Sequence, residues 1–155
     1  MNSRGFFGIG ILNPKTKENV GTLWRSAQAF GASFMFTIGR RYSTQCTDTT
    51  KAHRSTPLYN YNTFNDFYDH IPMECRLVGV ELAESAEPIT EFKHPQQAAY
   101  LLGAEDNGLS KEAIAKCKSI IVLPGIYCLN VSVAGSIVMF DRVQKFPRTQ
   151  VEGKP

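Results

Sequence analysis

The chain contains no C-x-x-C pair and no H-E-x-x-H frame. Its four cysteines (Cys46, Cys75, Cys117, Cys128) and three histidines (His53, His70, His94) are scattered, so neither a zinc site nor a disulfide framework is suggested. Reduced thiols and a cytosolic location are the expectation. A long apolar opening run is also missing. The N-terminal MNSRGFFGIGILN is broken by glycines and is too short for a signal-peptide core or a membrane span. Charge of one sign is scarce as well: a net +3 permits a nucleic-acid partner without demanding one. No internal repeat or low-complexity segment is visible, and only the tail FPRTQVEGKP looks loosely held. With 155 residues, the chain is one domain able to bury about two thirds of its unfolded surface without staples.

What is present centres on Ile120 to Arg142. Ile120–Leu123 is a continuous apolar run of strand length, closed by Pro124-Gly125. In the helix that follows, Val131, Val133, Ala134, Ile137, Val138, Met139 and Phe140 leave only a narrow polar stripe of Asn130, Ser132 and Ser136. A helix this apolar is either wholly core or meets a second copy of the chain with part of its surface. Further strands are expected at Phe6–Leu12, Phe34–Ile38, Leu58–Tyr61, Arg76–Leu82 and Ala98–Leu102. A helix with Asn19 as N-cap and Gly31 at its C-terminal end should follow the first strand. A small helix should begin near Phe64, and a third, capped by Ser110, should run to about Lys116. Ala86 to Pro95 reads as a polar connection, and Gly39 to Pro57 as a long polar loop carrying Arg40, Arg41, Lys51, His53 and Arg54. Strands alternating with helices predict an α/β fold, a mainly parallel sheet with helices on both faces.

Two glycine patterns fall short of nucleotide motifs. Gly8-Ile9-Gly10 lacks a third glycine and a ribose-binding acid, and Gly103 to Ser110 has P-loop spacing with Leu109 in place of the lysine. Three polar clusters remain at strand ends: Asn13, Asn19 and Arg25; Gly103, Glu105, Asn107 and Gly108; Cys128, Leu129, Asn130 and Ser132. Ligands of open parallel sheets lie beyond the carboxyl ends of the strands, so the clusters are expected to converge on one pocket. Taken singly, Asn19 is a helix cap, Gly108 a residue before a helix, and Arg25 a solvated arginine.

The ordered set N-x-x-x-x-x-N-x-G-x-x-x-R (Asn13 to Arg25), LLGAEDNGLS and LPGIYCLNVSVAG closely resembles the SpoU (TrmH) family of SPOUT methyltransferases, over roughly Ile9 to Arg142. That resemblance implies S-adenosylmethionine-dependent methylation of a ribose 2′-hydroxyl in tRNA or rRNA. It further implies a homodimer with a C-terminal trefoil knot, no metal, no membrane, and a single methyltransferase domain without an appended RNA-binding domain. By motif position it places the cofactor against Val80, Gly103, Leu123, Cys128, Leu129 and Asn130. Gly103 suits such a place, since lacking Cβ it lets backbone approach a ligand. Where the family commonly has Ser-Leu-Asn, this chain has Cys128-Leu129-Asn130 after a shortened turn.

The same resemblance places Arg25 at the reacting hydroxyl. A guanidinium stays protonated, so phosphate binding and alkoxide stabilisation are its expected tasks rather than proton abstraction. Glu105 is expected to orient Arg25, within the chain or across the dimer, and Asn19 to fix its loop or touch RNA. Arg40, Arg41, Lys51 and Arg54 are the expected RNA-binding cations. The alternative is an inactive module of the same fold that grips RNA through this basic segment.

Overall fold

The computed structural model describes residues 5–40, 55–104 and 106–146. Seven strands, β1 (Phe6–Leu12), β2 (Phe34–Ile38), β3 (Leu58–Tyr61), β4 (Arg76–Val80), β5 (Glu87–Pro88), β6 (Gln97–Gly103) and β7 (Ser119–Val122), form one sheet in the order β3-β2-β1-β6-β4-β7-β5. Every described pairing is parallel. Alternate residues of each strand therefore feed two cores. Ile9, Ile11, Val78, Tyr100 and Leu102 pack beneath helices α1 (Lys17–Phe30) and α4 (Val131–Lys145). Leu77, Ala99, Leu101 and Phe36 pack beneath α2 (Phe64–His70) and α3 (Lys111–Lys116).

Gly8 and Gly10 have a packing explanation. They lie opposite Phe34 and Phe36 across the β1–β2 ladder, and a Cβ at either would strike the facing ring. Gly135 plays the same part at the crossing of α4 with α1 and the sheet, where Leu23 and Leu102 occupy the space of its missing side chain.

The structure moves three expected boundaries. Helix α1 begins at Lys17, and its N-cap is Thr16, whose hydroxyl accepts from the Asn19 backbone N–H at 3.2 Å. Asn19 thus lies inside the first turn, which leaves its side chain free for a tertiary partner. The Ala86–Pro95 connection contains β5 and a 3-10 turn, Ile89–Glu91, because Ile89 and Phe92 are buried. The first strand of the cofactor region, β4, stops at Val80 rather than Leu82.

Helix α4 also turns its faces in an unexpected direction. Ser132 is buried and Ser136 donates to Ser26 of α1 at 2.8 Å, so the polar stripe points inward. Val133, Ile137 and Phe140 stay 46%, 37% and 56% exposed on the outside.

The far end of α4 is fastened beneath the amino ends of the strands. Buried Arg142 donates to the carbonyls of Pro95 (2.6 Å) and Gln96 (2.7 Å) and to the Tyr100 hydroxyl (3.1 Å), and it lies over the Phe7 ring. His94 sits between Tyr100 Oη (2.6 Å, at Nδ1) and Asp141 Oδ2 (2.7 Å, at Nε2), and Lys145 also reaches Asp141 at 2.9 Å. A neutral imidazole satisfies this chain: Nε2–H donates to Asp141, and Nδ1 accepts from the hydroxyl, whose oxygen takes the Arg142 donor. Burial lowers the His94 pKa, against the opposing pull of Asp141. The folded state therefore binds its proton less readily than the unfolded chain, and the stability His94 contributes is intact above about pH 6.5 and lost as pH falls through the depressed value. Melting midpoints measured between pH 7.5 and 5 should fall more steeply for the wild type than for His94→Gln. Equal slopes would show that His94 is indifferent to its charge.

Candidate functional site

Parallel pairing brings the carboxyl ends of β1, β6, β4 and β7 to one edge of the sheet, and the connections that leave them are tied to each other. Gly103 ends β6, and the chain doubles back at once: Gly108 N–H donates to Ala104 O at 2.9 Å, closing a tight loop that carries Asp106 and Asn107. A Cβ on Gly103 would run into the Gly108 backbone. The glycine expected at this position is thus required first by the loop's own packing. Glu105 lies outside the described residues.

Glu81, the residue after β4, holds that loop from the other side. Its carboxylate accepts from Leu109 N–H at 2.7 Å and Leu82 N–H at 3.0 Å, while its own N–H donates to Ile121 O of β7 at 3.0 Å. Lys15, between β1 and α1, forms an ion pair with Asp106. Arg40, just past β2, donates to Lys15 O at 3.3 Å, which sets one of the expected RNA-binding cations beside this edge. Arg41, Lys51 and Arg54 lie outside the described residues. Asn13, with φ 52°, braces the end of β2 through its N–H to Ile38 O at 2.7 Å.

The connection from β7 to α4 completes the edge. Asn130 is the N-cap of α4: its side-chain oxygen accepts from Ser132 N–H (2.9 Å) and Val133 N–H (3.3 Å), and its Nδ2 donates to Asn19 Oδ1 at 3.0 Å. The two asparagines, 111 residues apart in the chain, lock the first turns of α1 and α4 together. Val80 and Leu123 are half-buried against the core, whereas Cys128, Leu129 and Asn130 are exposed. Ile126 and Tyr127 are 92% and 88% exposed. Residues 125–129 make no backbone hydrogen bond among the described residues. A run of free N–H and C=O groups between a buried strand and a buried helix can read a ligand without side chains.

Arg25 stands apart. Eight residues beyond the start of α1, it is about 12 Å along the helix axis from the loop edge, exposed, with no partner among the described residues. Three residues before it on α1, Thr22 lines a groove of about 300 Å³ between α1 and α4, together with Phe30, Ser132, Val133, Ser136, Ile137 and Phe140. Within one copy of the chain the site is therefore divided: the loops of β4, β6 and β7 meet, and Arg25 does not join them.

Sequence reasoning missed Glu81, Lys15 and Thr16. Thr16 and Asn19 are both cap-type residues, so the sequence did not say which of them caps, and a single acid or lysine after a strand carries no signal. Among the described thiols only Cys128 is exposed beside this edge: burial pushes Cys117 up to about 12 and Cys75 to about 11, which leaves both protonated. Cys75, Cys117 and Cys128 are free, and no cluster of metal-ligating side chains occurs among the described residues. No described helix is long and apolar enough to cross a membrane.

Comparison with known proteins adds an independent line. The sequence model of the SpoU rRNA Methylase family matches residues 7–140. A tRNA (guanosine(18)-2′-O)-methyltransferase of Escherichia coli is 24% identical over 130 residues, 80% of this chain and 57% of the relative. A 23S rRNA (guanosine-2′-O-)-methyltransferase of Acinetobacter baylyi is 32% identical over 69 residues, 43% of this chain and 28% of the relative. Among solved structures, the SpoU methyltransferase AviRb from Streptomyces viridochromogenes, in complex with the cofactor AdoMet, superposes with a TM-score of 0.81 at 21% identity. That superposition covers 98% of this chain and 60% of the other. The chain thus spans little more than half the length of the longer-matching curated relative.

Proposed function

Because the chain belongs to the SpoU rRNA methylase family, we propose that it transfers the methyl group of S-adenosylmethionine to a ribose 2′-hydroxyl of tRNA or rRNA. The observation that carries this reading is the cross-tied edge where the connections after β4, β6 and β7 meet beside the free backbone of residues 125–129. That edge fits the cofactor. Unpaired peptide groups suit the hydrogen-bonding edge of an adenine and an amino-acid head, and exposed Leu82, Ile126 and Leu129 supply apolar surface for the rest. Val80, Gly103, Leu123, Cys128, Leu129 and Asn130 would hold it. When bound, S-adenosylmethionine supplies a methyl group already activated by its sulfonium.

The chain's own part is positioning, since in-line displacement needs the oxygen held opposite the departing sulfur. Arg25, permanently charged and forked, binds the neighbouring phosphate and stabilises the developing alkoxide. Arg40, Arg41, Lys51 and Arg54 take further phosphates, and Glu105 orients Arg25. Asn19 keeps the first turn of α1 against the Asn130 cap.

A homodimer completes this division of labour. Its surface is the outward stripe of Val133, Ile137 and Phe140 with Phe30, because an α4 whose polar face is turned inward leaves apolar groups for a second copy to cover. Arg25 follows Thr22 of the groove between α1 and α4 by one turn of α1, and in this reading pairing brings one copy's Arg25 toward the other's loops. A trefoil knot is part of the same reading. β7 lies between β4 and β5, which are joined by only residues 81–86, and so short a connection around an intervening strand supports a threaded crossing there.

Calorimetry with S-adenosylmethionine tests the cofactor reading. The wild type is expected to bind, and Gly103→Val, whose side chain would push the Gly108 backbone out of the loop, is expected to lose binding while circular dichroism shows the fold kept. A folded wild type that binds none would favour the RNA-gripping module. Equal affinity of the two proteins would remove Gly103 from the site.

A further inference from the structure

We propose that Glu81 is a positioning residue for the cofactor, holding the connections after β4 and β6 in the single arrangement that binds S-adenosylmethionine. The proposal rests on the functional reading above.

A carboxylate just past a buried strand would ordinarily be a solvated surface charge. Glu81 is half-buried, and among the described residues no cation pairs with it. Its two oxygens go instead to two amides on different connections, Leu82 N–H and Leu109 N–H. Hydrogen bonds from amides to an ionised acceptor are short and strong, and the 2.7 Å contact to Leu109 has that character. The backbone N–H of the same residue is bonded to Ile121 O, so one residue fastens the ends of β4, β6 and β7.

Gly108 shows that the clamp is built into the loop. It has φ +59°, and a Cβ there would land on the Glu81 carboxylate. Its other side is pressed by Gly103. Gly108 thus lies between the last residue of β6 and the carboxylate, and a side chain at 108 would meet the carboxylate. The carboxylate, at the end of a flexible side chain, is the one that yields. Gly108→Ala should accordingly break the clamp as Glu81→Ala does, without removing the acid. A ligand that spans both connections would then have to order them itself, which appears as lost affinity.

The test uses the full chain with S-adenosylmethionine as the probe, by calorimetry and by single-turnover methylation of RNA. Glu81→Ala and Gly108→Ala are each expected to weaken cofactor binding at least tenfold, with the turnover rate at saturating cofactor changed less than threefold. The double variant should bind no more weakly than the weaker single, because both changes remove one interaction. Glu81→Gln, which keeps the shape but can accept only one of the two N–H groups, should fall between. If Glu81→Ala fails to fold, Glu81→Gln and Gly108→Ala carry the test. Wild-type affinity in Glu81→Gln and Gly108→Ala, or losses that multiply in the double variant, would overturn the proposal alone. A folded wild type that binds no S-adenosylmethionine would overturn it together with the reading it rests on.

Discussion

Arg25→Ala is expected to lose about a hundred- to a thousandfold in single-turnover methylation of RNA, the cost typical of removing one charge-stabilising donor. Its melting midpoint and cofactor affinity should stay at wild-type values. The side chain is exposed and bonded to nothing else described, so truncation opens no cavity and orphans no buried partner. Its distance along α1 from the cofactor edge removes any direct reason for cofactor binding to change. A role limited to the transition state lowers the chemical rate without lowering cofactor affinity. Arg25→Lys should recover little, since a point charge does not reproduce a planar fork. RNA must be saturating, so that weaker binding is not mistaken for slower chemistry. Wild-type methylation by Arg25→Ala under those conditions would make Arg25 an ordinary solvated arginine.

An equally large loss is expected from a change that touches neither cofactor nor RNA. Ile137→Asp should convert a homodimer to monomers and abolish methylation, because Arg25 then has no second set of loops to serve. Val133, Ile137 and Phe140 are roughly half open in the single copy. Full burial of such side chains is worth about 1.5–3 kcal/mol each, so completing it for three residues in each of two copies contributes on the order of 6 kcal/mol. A two-fold axis doubles the penalty of the substitution, since each copy brings its own aspartate to an apolar surface. The exposed position predicts that the monomer still folds. Light scattering on a size-exclusion column, with activity on the same fractions, decides it. A monomeric wild type, or an Ile137→Asp protein that stays dimeric and active, would contradict this assignment.

β1, β2, β4, β6 and β7 could be located in the sequence because each is a mainly apolar run, and both core faces of β1 and β6 follow from their length. Four features were not legible, each for a different reason. Thr16 and Asn19 are both cap-type residues three positions apart, and only Asn130, far along the chain, shows which one caps. β5 is two residues long, too short for any alternation to register. Glu81 carries no periodic signal, since its meaning lies in Gly108 and Leu109, which the fold brings beside it. The Asn130–Ser132–Ser136 stripe was correctly seen as polar, but composition does not say which way a helix faces. The Ser132 hydroxyl is satisfied by the Asn130 side chain and the Ser136 hydroxyl by Ser26 and the Ser132 carbonyl, so these two cost little to bury, while Asn130 stays exposed as the cap. The ordered motifs lie on the connections after β1, β6 and β7, while the pairs that fasten these connections required coordinates.

The fastening of Arg142 bears on how the molecule assembles in time. Its guanidinium bonds the carbonyls of Phe6, Pro95 and Gln96, the first of these 136 residues earlier in the chain. β1, an interior strand of the sheet, likewise waits for β6 before its second edge is paired. The amino-terminal half can form its local helices early, but β1 keeps a bare hydrogen-bonding edge until Gln97–Gly103 arrives, and the base of the core stays unsealed until Arg142 does. Such dependence on distant partners slows the search for the native state and prolongs the life of sticky, half-built forms. Refolding from denaturant should accordingly be slow for a protein of this size, with losses to aggregation that rise with concentration.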